Sequence, residues 1–303
     1  MQPSFSFELP TQRVQHVEEF VRGDAVAELS AAAESAGFAA VNVSEHPAPD
    51  ARWLDGGGHH ALDPFVALSF AAAATRRVRL LTNMLVIPYR NPFLCAKSVQ
   101  SLQLLSGNRF ILGAAVGYLK PEFAALGVDF DERNELFDES LEAMKAVWSG
   151  EDTLFKGRHF EAAAVRHVPA CAPQPPIWIG GNSIRAIRRA VSHFDGWAPF
   201  GGAGYGKAAR TASIGSVEDL RSRISLARES ADELGRTEPL DICYSALRLA
   251  DPTVDVEKRR DQIGQLSEAG VTWLAVSVPG ESRSEVLDGI SAFSESFIGE
   301  TTT

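Results

Sequence analysis

Ser35-Ala36-Gly37-Phe38-Ala39-Ala40-Val41-Asn42-Val43-Ser44-Glu45-His46 decides the fold. A run rich in Ala, Glu and Leu over residues 17–36 stops at Gly37, the position of a glycine that closes a helix. Residues 39–44 then form a short apolar strand, and polar groups follow at its end. Working outward, the same unit recurs. Strands are predicted at 4–7, 39–44, 78–86, 109–115, 177–179, 196–200, 240–246 and 272–278. Helices are predicted at 17–36, 63–75, 92–105, 132–148, 183–192, 217–234, 254–269 and 283–297. Strands that alternate with helices imply a parallel sheet with crossover helices, and eight such units close a (β/α)8 TIM barrel. An open doubly-wound sheet is the weaker alternative, because the first strand–helix turn carries no G-x-G-x-x-G. One irregular stretch, 150–176, breaks the rhythm with Phe155, Phe160 and several prolines. It reads as an insertion between the fourth helix and the fifth strand of a single domain spanning 1–303.

Composition limits the function. The chain has 303 residues, 45% of them hydrophobic and 22% charged, the balance of a globular protein. Its net charge of −10 argues against nucleic acid or an anionic membrane as a partner. No uncharged apolar run is long enough to cross a bilayer, and the first ten residues lack the pattern of a secretory signal. Cys95, Cys171 and Cys243 are scattered, with no metal-ligand spacing, so they read as free thiols of a cytoplasmic protein. No metal site is expected.

In such barrels chemistry sits where the strands end in loops. Strand alternation puts Asn42, Ser44 and His46 on the axis side, and Val41, Val43 and Glu45 on the other. A histidine at that mouth can exchange a proton near neutral pH, although a purely structural histidine is the plainer reading. The third strand leads into Pro88-Tyr89-Arg90-Asn91-Pro92, a stiff turn offering an aromatic ring and a cation. The fourth ends at Gly113-Ala114-Ala115-Val116-Gly117-Tyr118, where small residues allow close approach of a flat ligand or simply tight packing. The fifth, Ile177-Trp178-Ile179-Gly180-Gly181-Asn182-Ser183, runs through two glycines into a helix, the form of a phosphate site. Arg185, Arg188 and Arg189 would add positive charge there. Gly56-Gly57-Gly58-His59-His60 reads as a mobile loop rather than a metal site. Gly202-Ala203-Gly204-Tyr205-Gly206 reads as a flap over the pocket, and Cys95 as a core residue.

Together these stretches resemble the bacterial-luciferase-like family over roughly residues 20 to 200. The resemblance rests on Ala36-Gly37-Phe38 with Val41 to His46, Arg79-Leu80-Leu81-Thr82, and Pro88 to Pro92. It also rests on Leu105-Ser106-Gly107-Asn108-Arg109-Phe110-Ile111-Leu112-Gly113, Gly117-Tyr118, Glu122-Phe123 and Pro176 to Gly181. It implies a TIM-like barrel with a flavin-type cofactor at its mouth. Glu45-His46-Pro47 resembles the group that uses the deazaflavin coenzyme F420 more than the FMN monooxygenases, in which Glu-His-His is common.

Carried over, the resemblance makes His46 the active-site proton donor or acceptor and places Glu45 beside it. It puts Ser44, Asn83, Met84, Gly117, Tyr118, Gly180, Gly181, Asn182 and Ser183 on the cofactor. The Asn83–Met84 bond matches a position that often holds a non-proline cis peptide, although many relatives have Gly where this chain has Asn83. Trp53, Trp197 and Phe200 shape the substrate pocket. The implied activity is hydride transfer between F420 and a small organic substrate, in a homodimer. The alternatives are a monooxygenase fed reduced FMN by a separate flavin reductase, a non-catalytic flavin-binding barrel, and a cofactor-free isomerase or lyase.

Overall fold

The computed structural model describes residues 2–201, 212–245 and 255–299. Strands β1 (Ser4–Glu8), β2 (Ala40–Val43), β3 (Arg79–Thr82), β4 (Leu85–Val86) and β5 (Phe110–Ala115) come first in the chain. A hairpin of β6 (Thr153–Lys156) and β7 (Glu161–Val165) follows. Then come β8 (Ile177–Gly180), β9 (Gly196–Ala198), β10 (Asp241–Ser245) and β11 (Trp273–Val276). Every pairing outside the hairpin is parallel, and the sheet order is β3-β2-β1-β11-β10-β9-β8-β5-β4. Pairing of β3 with β5, Leu80 to Phe110 and Leu81 to Ile111, closes the ring. The molecule is a closed eight-stranded (β/α)8 barrel, with β3 and β4 as two pieces of one stave. The antiparallel hairpin lies between the fourth barrel helix and the fifth stave, within the stretch expected to be irregular.

Alternation along each strand sorts side chains into two cores. Phe5, Phe7, Val41, Val43, Leu80, Leu112, Ile177, Ile179, Leu274 and Val276 face the helices. Ala40, Leu81, Ile111, Trp178, Ala198, Cys243, Trp273 and Ala275 fill the barrel interior. Each fully buried Phe, Leu or Ile contributes roughly 1.5–3 kcal/mol, so the larger outer core carries most of the stability.

Several boundaries differ from the sequence expectation. The first helix is two pieces, Val17–Phe20 and Gly23–Ser35. The third strand is interrupted between Thr82 and Leu85, where the Asn83–Met84 peptide bond is cis. The last helix, Arg283–Phe293, continues as a π turn over Ser294–Ile298. The strand and helix starts expected at Leu240 and Val254 become Asp241 and Val256, and Gly202–Gly206 lies outside the described residues. Among the described residues, no helix is long and apolar enough to cross a membrane.

Candidate active site

The loops following β2, β4 and β5 converge on one histidine. His46 follows β2 and is 9% exposed. Asp50 caps the next helix, Ala51–Asp55, by accepting from the Trp53 N–H, and so presents Trp53 to the histidine ring. The ring centroids of His46 and Trp53 lie 4.4 Å apart. The triple glycine then folds back on the indole, since a Cβ at Gly58 would overlap the Trp53 ring. That return brings His59 edge-on to His46 at 4.8 Å, with the two rings 88° apart. The segment expected to be a mobile loop therefore supplies a packed wall. Burial, reinforced by the neighbouring His46, pulls the His59 pKa down to about 4, so His59 is neutral at pH 7.

The partner of His46 comes from elsewhere in the chain. Glu122 lies on the short helix Lys120–Ala125 after β5 and is 1% exposed. Its Oε2 stands 3.1 Å from His46 Nδ1 and accepts from the Tyr89 hydroxyl at 3.0 Å. Its Oε1 accepts from the Ala48 N–H at 3.1 Å. A carboxylate accepts only, so this network assigns the Nδ1 position of His46 as the protonated one. Nε2 is left facing the Tyr118 hydroxyl at 3.4 Å. Burial and the adjacent Glu122 push the Tyr89 phenol far up, which keeps it a donor at every ordinary pH. Sequence reading saw Glu122 only inside a family motif, and Tyr89 only as part of a turn. The buried acid within that motif was the available signal.

Glu45 takes a different direction. It accepts from the Val86 N–H at 2.6 Å and pairs with Arg90, which also reaches Asp63 at 3.0 Å. Burial raises its pKa, and the Arg90 charge opposes the rise. Glu45 thus anchors the loop carrying Tyr89, and neither of these partners is His46.

Met84 forms the floor of the barrel mouth. A Cβ at Gly113 would overlap the Thr82 carbonyl and stand 2.8 Å from Met84 Cε; one at Gly180 would stand 2.9 Å from Met84 Cγ. Only glycines let this bulge lie across the interior, and the result is a shallow platform suited to a flat ring. Asn83 Nδ2 reaches Asn42 Oδ1 at 3.4 Å below it. Ser44 and Tyr118 are half-buried at the mouth, and Gly117 packs tightly on Val86 and Phe123.

At the fifth stave, the side chains expected on the cofactor have internal work. Asn182 is buried and bonds the Phe200 and Ala212 carbonyls and the Phe200 N–H. The Ser183 hydroxyl caps helix Ile184–His193 by accepting from the Ala186 N–H. What this turn offers an anion is backbone: the Ile184 and Arg185 N–H groups have no carbonyl one turn back. Arg185 and Arg189 pair instead with Asp138. Trp197 registers with Ile179 on the helix side, is fully buried, and donates its Nε1–H to the Gly181 carbonyl, so it does not line the mouth. Phe200 is half-buried just past the end of β9. Among the described residues, no group of three His, Cys, Asp or Glu side chains could hold a metal ion.

Comparison with known proteins agrees with this architecture. The F420-dependent glucose-6-phosphate dehydrogenase 2 of Rhodococcus jostii is 28% identical over 290 residues, covering 88% of this chain and 84% of the relative. A solved F420-dependent secondary alcohol dehydrogenase superposes with a TM-score of 0.76 at 17% identity, covering 99% of both chains. The FMN-bound oxygenating constituent of 3,6-diketocamphane monooxygenase from Pseudomonas putida superposes with a TM-score of 0.75 at 16% identity, covering 98% of both. The luciferase-like monooxygenase family matches residues 4–254, and the chain is a member of that family of flavin- and deazaflavin-dependent oxidoreductases.

Proposed function

We propose that this protein is a coenzyme F420-dependent oxidoreductase that transfers a hydride to or from an oxygen-bearing carbon of a small organic substrate. One observation carries the reading: a buried histidine whose Nδ1 is held by a buried carboxylate, with Nε2 on the other side facing the half-buried Tyr118 hydroxyl at 3.4 Å. The Met84 platform, Ser44, Asn83, Gly117, Tyr118, Gly180 and Gly181 would hold the ring, and the Ile184 and Arg185 N–H groups its phosphate. F420, when bound, supplies a centre that accepts or donates a hydride. The protein does the rest. His46 Nε2 takes the hydroxyl proton as an alcohol is oxidised and returns it in the reverse direction. Glu122 stabilises the imidazolium that forms, and Tyr89 and the Ala48 N–H hold Glu122 in place. Trp53 and His59 pack against the His46 ring and keep it largely buried.

The second reading is a two-component monooxygenase using reduced FMN and oxygen, supplied by a flavin reductase; the family description and the diketocamphane enzyme favour it. The test is an anaerobic assay with F420 and a panel of simple secondary alcohols, run beside an aerobic assay with reduced FMN and ketones. F420 reduction that disappears in His46→Ala supports the first reading. Product formed only with reduced FMN and oxygen overturns it. We further propose a cytoplasmic homodimer. Helix Pro64–Ala74 carries no charged residue and exposes Val66 and Phe70, and Leu94 of helix Pro92–Leu105 is exposed too, apolar surface suited to self-association on a chain of net charge −10. A monomeric mass by light scattering contradicts that assembly.

A further inference from the structure

Between helices Val256–Ala269 and Arg283–Phe293, and lined by none of the residues assigned above to the barrel mouth, lies a cavity of about 540 Å³. Its walls are mostly apolar, including Val256, Pro279, Phe293 and Phe297. Arg259 borders it and is only 7% exposed, yet its Nε and Nη2 are buried without a hydrogen-bond partner. Among the described residues no carboxylate forms an ion pair with it. Glu285, exposed at the cavity rim, accepts from the Glu281 N–H at 2.8 Å. A buried guanidinium without a counter-charge is costly, and Nε and Nη2 form the edge that grips a carboxylate two-pronged.

We propose that this cavity is a binding site for a small monocarboxylate with an apolar body, seated on Arg259. The apolar walls match a hydrocarbon or aryl portion, and the volume falls within the range of small-molecule sites. A single cation, with Glu285 at the rim, favours one negative charge over the two of a phosphate. Seating the carboxylate requires the Arg259 side chain to swing its unpaired edge toward the cavity it already borders. The site is independent of the redox chemistry at the mouth.

The test is calorimetric titration of the full chain with sodium octanoate, with 1-octanol and inorganic phosphate as comparisons. Octanoate is expected to bind at least tenfold more tightly than octanol, and phosphate not to bind. Arg259→Met should lower octanoate affinity at least tenfold while leaving octanol unchanged. Ala292→Trp, which fills the cavity from an exposed position, should abolish both. His46→Ala should change neither. Should Arg259→Met fail to fold, Arg259→Lys keeps the charge, loses the two-pronged edge, and should still weaken octanoate. Three results overturn the proposal: no octanoate binding to the wild type, equal octanoate binding with Arg259→Met or Arg259→Lys, or binding that survives Ala292→Trp and vanishes in His46→Ala.

Discussion

Glu122 gathers the His46 ring, the Tyr89 hydroxyl and the Ala48 N–H on one buried carboxylate. Glu122→Gln keeps the size but cannot stabilise a charged imidazole. We expect kcat to fall roughly 10²–10³-fold with the KM for cofactor nearly unchanged, measured by steady-state kinetics with the best substrate found. His59 makes a separate prediction. Its pKa is about 4 in the fold against 6.5 ordinarily, so between those values the unfolded chain binds more protons. Stability is therefore lost as pH falls from 6.5 toward 4. Thermal melts of His59→Phe should show a shallower decline across that window than the wild type, and equal slopes would contradict the assignment. His46 was legible because it stands just past β2, at the strand end where such barrels place their chemistry. Glu122 stands 76 residues away, and only folding brings the two together.

At the level of elements, the Glu45–Arg90–Asp63 chain ties the end of β2 to the loop before helix Pro92–Leu105. Glu45→Gln leaves the guanidinium of Arg90 with only the exposed-side partner. We expect a loss of about 3 kcal/mol in urea unfolding, with kcat within a few-fold of wild type because the Glu45 carboxylate is engaged by Val86 and Arg90. A collapse of kcat at full stability would instead make Glu45 catalytic. Here two sequence arguments disagreed. Alternation set Glu45 opposite His46 and family resemblance set it beside the reacting ring; in the fold its carboxylate is held by the Val86 N–H and by Arg90. Asn182 and Ser183 show the complementary case. Their types suit a phosphate turn, yet a turn that tight needs caps of its own, and both side chains are consumed holding it.

Across the whole molecule, the count of strand–helix units was readable because each stave is an apolar run closed by a turn residue. The break in the third stave was legible only through the family resemblance, which marked the Asn83–Met84 bond, because it depends on Gly113 and Gly180, distant in the chain, to leave room for the bulge. Gly113→Ala should prove this dependence. Its Cβ would overlap the Thr82 carbonyl, a backbone atom that cannot step aside, so a loss of at least about 2 kcal/mol in chemical denaturation is expected, together with weaker cofactor binding. Binding of a deazaflavin at the mouth of this barrel is our proposal. It is tested most directly by titrating the purified protein with F420 and, separately, with FMN, following quenching of cofactor fluorescence. The account predicts saturable F420 binding at least tenfold tighter than FMN binding, and tight FMN binding with no response to F420 would contradict it.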